Sequence, residues 1–157
     1  MIKTKFNYFL ETTLTYKIKT ATEQQICAHL KECNNHFFPP LSERINIESY
    51  SKKIAVKSIT FEAWSENTLV GLVATYMNAE TSTAFITNVS LLKNYMGLGI
   101  STELTNRCIE YVQQNNFKEI KLEVHKNNAN AIGLYKKFNF IKYDSKDDLD
   151  LMKLQTK

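Results

Sequence analysis

The pattern of hydrophobic and polar residues predicts strands in seven stretches of the chain and helices in four others. Leu14, Tyr16 and Ile18 alternate with polar residues, as in a half-buried strand, whereas Ile26 and Leu30 are spaced as on one face of a helix. The predicted strands are 13–19, 60–65, 69–77, 83–92, 119–125, 140–143 and 149–154, and the predicted helices are 22–34, 42–58, 100–116 and 128–138. This order predicts a mixed α/β sheet with helices on both faces.

The ends of several predicted elements carry local signals. Thr22 and Gln25 form a capping-box pattern at the start of the first helix. The dipeptide Pro39-Pro40 cannot continue that helix, because proline lacks the backbone donor. Ser42 follows it and is the predicted N-cap of the second helix. The acidic stretch 145–148 predicts the turn of a final antiparallel hairpin.

The stretch 83–124 reads as strand, helix and strand, which requires a right-handed crossover between two parallel strands. Ligands of open α/β sheets bind beyond the carboxyl ends of the strands, where a loop enters a helix. The loop 92–101 is the predicted ligand-binding segment on this argument.

Composition narrows the class of protein. The 157 residues are 43% hydrophobic, which suits one globular domain spanning 1–157, and the apolar runs are too short to cross a bilayer. No secretory signal pattern opens the sequence, and the three cysteines form no CxxC pair, so we expect a reducing cytoplasm and no metal site. The net charge of +4 is spread along the chain, which argues against a nucleic acid or membrane partner.

Two glycines, Gly97 and Gly99, stand between the fourth predicted strand and the third helix. Glycine lets the backbone approach a ligand, and the unpaired N–H groups of a helix start attract phosphate. A plain tight turn explains the same pattern. The loop is not an ATPase phosphate loop, since no Gly-Lys-Ser/Thr follows, and a dinucleotide fingerprint is incomplete because Thr102 replaces its third glycine.

A second motif lies at a fitting distance downstream. The pattern Asn94-x-x-Gly97-x-Gly99, followed by Asn128-x-x-Ala131-x-x-Leu134-Tyr135-x-x-Phe138-x-Phe140, resembles the GNAT superfamily of acetyl-CoA-dependent N-acetyltransferases. The specific resemblance covers 85–143. It implies a mixed, mostly antiparallel sheet whose fourth and fifth strands are parallel and splay apart. It also implies acetyl-CoA as co-substrate, with the pantetheine arm inserted into the gap.

The resemblance further implies which residues bind the coenzyme. The backbone of Thr87, Asn88 and Val89 would pair with the pantetheine amides, and Asn128 with Ala131 would lie beside that arm. The pyrophosphate would be bound in the glycine loop and the first helical turn, by Asn94, Tyr95, Met96, Gly97, Leu98, Gly99, Ile100 and Ser101. Asn94 departs from the usual Gln or Arg, which matters little where backbone amides do the binding.

Two side chains are the predicted catalytic groups. Tyr135 matches the tyrosine that protonates the departing CoA thiolate, and a phenol pKa of ~10 lies above a thiol pKa of ~8.5. Glu123 is the candidate base for the amine, and an N–H near Val89 would polarise the thioester carbonyl. Asn139 replaces the family's usual glycine before Phe140, and asparagine tolerates the left-handed conformation that a helix end needs.

Several alternatives stay open at this point. Glu123 also fits a solvated strand face, with water as the base, and Asn128 also fits a helix cap. Tyr135 also fits helix packing. The acceptor is an amino sugar, an amino acid derivative or a peptide N-terminus. The competing classes are a non-catalytic CoA-binding module and a nucleotide-binding domain that uses the turn 97–101. Homodimers are common in the family that the chain resembles, so the resemblance also implies a homodimer.

Overall fold

The computed structural model describes residues 14–156, in which seven strands form one sheet in the order β1-β2-β3-β4-β5-β7-β6. The strands are β1 (Leu14–Ile18), β2 (Ile59–Ser65), β3 (Thr68–Asn78), β4 (Thr83–Leu91), β5 (Glu119–His125), β6 (Ile141–Lys146) and β7 (Leu149–Gln155). The helices are α1 (Glu23–Cys33), α2 (Ile47–Lys57), α3 (Ile100–Gln114) and α4 (Ala129–Lys137). None of these helices combines the length and the apolar character needed to cross a membrane.

The pairing is antiparallel except between β4 and β5, which run parallel around α3. The predicted mixed α/β sheet with a parallel fourth and fifth strand is therefore confirmed. Position 13, the first residue of the first predicted strand, lies outside the described residues.

The predicted start of the second helix is wrong. Helix α2 begins at Ile47, and Asn46 caps it by accepting a hydrogen bond from the Ser49 N–H at 2.8 Å. Ser42 instead belongs to a single 3-10 turn, and its N–H donates to the Asn34 side chain at 2.8 Å. Because Ser42 is bonded to Asn34, the helix begins only after the next capping residue, Asn46. The final hairpin turn is also shorter than predicted, since β6 continues to Lys146.

The two faces of the sheet carry separate cores. Adjacent β3 residues point to opposite faces: Val73 packs into the cluster that includes α3, and Leu72 into the cluster that includes α1 and α2. Tyr135 and Phe140 belong to the α3 cluster, so α4 lies on that face. The predicted helices on both faces are therefore confirmed, and the surface around α1 and α2 is named here the acceptor face.

The junction of β1 and α1 is fixed by one buried carboxylate. Glu62 on β2 accepts hydrogen bonds from the Thr20 and Ala21 N–H groups, from the Thr20 and Thr60 hydroxyls and from the Trp64 indole. Burial alone raises the pKa of Glu62, but these donors outweigh it and leave the pKa below its ordinary value. The capping box of Thr22 begins α1 immediately after this cluster.

Candidate active site

The sheet opens between β4 and β5. The two strands pair only from Thr83 with Glu119 to Ile86 with Leu122. Beyond that point β4 continues to Leu91 along β3, and β5 continues to His125 along β7, without pairing to each other. The splayed pair that the resemblance implied is thus present, and it leaves a gap bordered by two strand edges.

A β-bulge lies where the two strands separate. The register between β3 and β4 jumps from Ala74 opposite Asn88 to Thr75 opposite Ile86, which leaves Thr87 as the extra residue. The Tyr50 hydroxyl, from α2, donates to the Thr87 carbonyl at 2.8 Å and also contacts the Thr87 hydroxyl oxygen at 2.8 Å. A bulge bends its strand, so this contact fixes the direction in which β4 leaves β5.

The backbone of Val89 faces the gap. The Leu92 N–H donates to the Val70 carbonyl of β3 at 2.9 Å. Backbone groups alternate in direction along a strand, so those of Ser90 point to β3 and those of Val89 and Leu91 point away from it. Val89 therefore presents its N–H and carbonyl to the gap. Its role in polarising a thioester stays a prediction.

The glycine loop places unused amides beside this gap. Gly97 and Gly99 adopt φ of +79° and +80°, a conformation that strains any residue with a Cβ. Gly99 is the N-cap of α3 without a side-chain cap, and the first helical bond is the Glu103 N–H to the Gly99 carbonyl at 3.0 Å. The amides of 100–102 are therefore left for another acceptor. Uncapped amides and the helix dipole suit a phosphate group.

Asn128 is the N-cap of α4. Its side-chain oxygen accepts a hydrogen bond from the Ala131 N–H at 3.2 Å, which is the cap role left open by the sequence. The amide nitrogen of Asn128 is not used in that bond and is left as a donor. Both residues are half-buried, and Ala131 packs against the α3 cluster.

Tyr135, on α4, packs into the cluster on the α3 face of the sheet. Its side chain is 6% exposed, and its ring contacts Phe140 with 5.7 Å between ring centroids. Burial, and secondarily the Cys108 thiol, raise the pKa of Tyr135 well above its ordinary value. The phenol therefore stays protonated at neutral pH. Asn139 adopts φ of +71°, so the helix end before Phe140 survives without glycine, as predicted.

Glu123 lies on the face of the sheet opposite to Tyr135. It is exposed on β5 between the buried residues Leu122 and Val124, so it points to the acceptor face. His125 shares that face and stacks on Phe38 with 6.0 Å between ring centroids. Glu123 and Tyr135 thus lie on opposite faces of the sheet.

The sequence analysis missed several buried polar residues, among them His29 on α1. It is 3% exposed, with its Nδ1 2.9 Å from the Leu69 carbonyl and its Nε2 2.9 Å from the Ser90 hydroxyl. The sequence signal that indicates its burial is its position on the apolar stripe of α1 beside Ile26 and Leu30, where a histidine needs buried partners.

The described residues fit coenzyme A better than a metal. A strand edge and the uncapped amides of α3 border one opening, and these suit the amides and phosphates of the coenzyme. Within residues 14–156, no group of three or more His, Cys, Asp or Glu side chains is placed to hold a metal ion.

The strand order and the parting of β4 and β5 are those of an acetyltransferase fold. A family model described as the Acetyltransferase (GNAT) family matches residues 23–140, and the chain belongs to this family. Its sequence is 29% identical over 105 residues to the N-alpha-acetyltransferase MAK3 of Arabidopsis thaliana. That match covers 65% of this chain and 55% of the plant protein, so the chain spans little more than half of this relative.

Two solved structures show the same fold at low sequence identity. The ribosomal-protein-S18-alanine N-acetyltransferase of Escherichia coli matches with a TM-score of 0.71 and 18% identity, over 90% of this chain and 94% of that one. The PaiA N-acetyltransferase of Thermoplasma acidophilum, in complex with coenzyme A, matches with a TM-score of 0.71 and 15% identity. The second match covers 90% of this chain and 99% of that one.

Proposed function

We propose that this chain transfers the acetyl group of acetyl-CoA to the α-amino group of a peptide or protein N-terminus, by direct attack in a ternary complex. The observation that carries this proposal is the opening between β4 and β5, in a sheet that has Glu123 on one face and Tyr135 on the other. Family membership supports the transfer reaction, and the relative named as an N-alpha-acetyltransferase supports the α-amine as acceptor.

The coenzyme is held by backbone groups along the opening. The β4 edge at Thr87, Asn88 and Val89 pairs with the pantetheine arm, and the Asn128 amide nitrogen contacts that arm from α4, beside Ala131. The segment 94–101 binds the pyrophosphate, because both glycines there leave the surface open and three amides of the following helix are unused.

The chain's own groups move two protons during the transfer. Glu123 accepts a proton from the attacking amine, and the Val89 N–H donates to the thioester oxygen as negative charge develops there. Tyr135 donates its phenolic proton to the sulfur as the carbon–sulfur bond breaks. The products are the acetylated amine and the CoA thiol. Base and acid act on opposite sides of the carbonyl, which suits their placement on opposite faces.

The acceptor side offers an apolar contact beside the base. Phe38 is 52% exposed and stacks on His125, two residues from Glu123 along β5. An extended peptide that presents its α-amine to Glu123 has an aromatic surface for its first side chain. A small amine would leave this surface without a contact.

An acceptor panel with purified protein tests the proposal. CoA thiol release is measured with acetyl-CoA and peptides carrying a free α-amine, with the same peptides blocked at the N-terminus, and with amino sugars and free amino acids. We expect release with the free peptides only. Transfer confined to small amines would contradict the acceptor. Acetyl-CoA binding without any transfer would instead identify a non-catalytic module.

A further inference from the structure

A chain of buried polar side chains runs behind the splayed part of β4, on the acceptor face. It begins at the Leu69 carbonyl, which can only accept, so Nδ1 of His29 carries the proton of that 2.9 Å bond. The opposite ring nitrogen, Nε2, lies 2.9 Å from the Ser90 hydroxyl oxygen, which in turn lies 2.7 Å from Oδ1 of Asn88. The Ser90 hydroxyl carries one proton, which it donates to either Oδ1 of Asn88 or Nε2 of His29, so it links the imidazole and the amide by one hydrogen bond at a time.

The ring of His29 stays neutral in this position. Burial lowers its pKa to about 4, against smaller opposing contributions from the backbone of Leu69 and of Ser90. Cys33, one helical turn further along α1, places its sulfur 3.7 Å from Nε2, and burial raises the pKa of this thiol to about 12. A neutral imidazole with one donor and one acceptor matches the carbonyl on one side and the hydroxyl on the other.

The chain of contacts ends on the bulge that opens the sheet. Asn88 directly follows the extra residue Thr87, and both residues are held from the acceptor face. Ser90 holds Asn88, and the Tyr50 hydroxyl holds Thr87. Interaction with the Asn88 side chain also lowers the pKa of Tyr50, against the larger effect of burial, so the two contacts meet at the bulge. Val89 comes next and presents its N–H to the gap.

We propose that His29 and Ser90 are positioning residues for acetyl transfer: through Asn88 they fix the bulge of β4 and thereby aim the Val89 N–H at the thioester oxygen. This inference rests on the role given above to Val89. An apolar residue at 29 could pack beside Ile26 and Leu30 without any partner, so packing alone does not require this arrangement. A misplacement of a catalytic group by ~1 Å can cost 10²-fold in rate.

The test uses paired variants of the full chain. Ser90→Ala removes one hydroxyl, His29→Leu removes both ring contacts, and His29→Gln keeps a side chain that can donate and accept. The matched control is Ser51→Ala, because Ser51 is also a buried serine and its hydroxyl donates to the Ile47 carbonyl of its own helix, at 2.7 Å.

The first measurement is the infrared carbonyl stretch of acetyl-CoA, labelled with ¹³C at the acetyl carbonyl and bound without an acceptor. We expect it to lie below that of free acetyl-CoA in the wild-type chain, the Ser51→Ala control and His29→Gln. In Ser90→Ala and His29→Leu we expect it to return towards the free value. The second measurement is turnover: kcat of Ser90→Ala should fall about 10- to 100-fold with KM for acetyl-CoA nearly unchanged.

The outcomes separate this inference from the proposed function. An unshifted carbonyl in the wild-type chain would overturn the role of Val89, and the inference with it. If the carbonyl stretch is shifted in the wild-type chain, and Ser90→Ala keeps both that shift and the wild-type kcat, the inference alone is overturned. Loss of the shift in Ser90→Ala but not in Ser51→Ala supports it whether or not a suitable amine has been found. An equal loss of the carbonyl shift in Ser90→Ala and Ser51→Ala would indicate a general packing effect and overturn the inference.

Discussion

At the scale of single residues, Tyr135 and Glu123, the proposed acid and base, stand in opposite environments. Tyr135 is buried among apolar side chains, which holds its proton, whereas Glu123 stands on an exposed strand face. The proposed acid and the proposed base are thus on different faces of the sheet.

Replacement of Tyr135 by Phe tests the acid. General acid catalysis contributes 10²–10⁴-fold, so we expect kcat to fall by about that factor while acetyl-CoA affinity changes little. Tyr143→Phe is the control, because Tyr143 is 39% exposed on the edge strand β6. Steady-state kinetics and calorimetric binding measure the two quantities. Wild-type turnover in Tyr135→Phe would remove it as the acid.

Replacement of Glu123 by Gln tests the base. A neutral amide cannot accept the proton of the attacking amine. We expect the rate to fall most at low pH, because free amine is scarce there and the reaction depends most on a base. Glu119→Gln removes the same charge from the start of β5, where Glu119 lies 3.8 Å from Lys153, and should leave the profile unchanged. The pH–rate profile decides. If Glu123→Gln has the wild-type profile, the role passes to water.

At the scale of elements, the loop before α3 depends on two left-handed residues. Gly97 and Gly99 hold positive φ, and among the described residues no atom lies within 4 Å of either missing Cβ. Substitution there acts through backbone strain and not through a clash. Of the parts of the site, the conformation of this loop follows most directly from the sequence, because it depends on two glycines.

Gly97→Ala should destabilise the fold by ~1 kcal/mol, because a left-handed residue with a Cβ costs 1–2 kcal/mol, and it should weaken CoA binding. Gly133→Ala is the control: Gly133 lies inside α4 with open space around it, and alanine there should stabilise by roughly 0.5–1 kcal/mol. Denaturant melts and CoA titrations measure both effects. Unchanged CoA affinity in Gly97→Ala would count against the phosphate-binding loop.

At the scale of the whole molecule, the carboxylate of Glu62 joins β1, β2 and the start of α1. We expect Glu62→Gln to cost about 2–3 kcal/mol of unfolding free energy, since an amide cannot accept from all of these donors. Because the pKa of Glu62 is lowered in the folded chain, its contribution is complete above the unfolded pKa of ~4.3 and is lost as pH falls through the folded pKa.

Urea melts of both forms across pH measure this contribution. The difference between wild type and Glu62→Gln should be constant near neutral pH and shrink in the acid range. A difference that grows on acidification would contradict the assignment. Homodimer formation remains a prediction at this scale, and sedimentation of the purified chain tests it.

The amino-acid sequence by itself determined the order of the elements, the glycine loop and the family. Periodicity, capping at Thr22 and left-handed glycines are local properties, so nearby residues suffice to predict them. Only the tertiary structure decided that Asn46 caps α2, which begins at Ile47. It also decided that Tyr50 contacts Thr87, that His29 contacts Ser90, and that Glu123 and Tyr135 lie on opposite faces of the sheet. His29 and Ser90 are 61 residues apart, and contacts over such distances depend on how helices pack on the sheet.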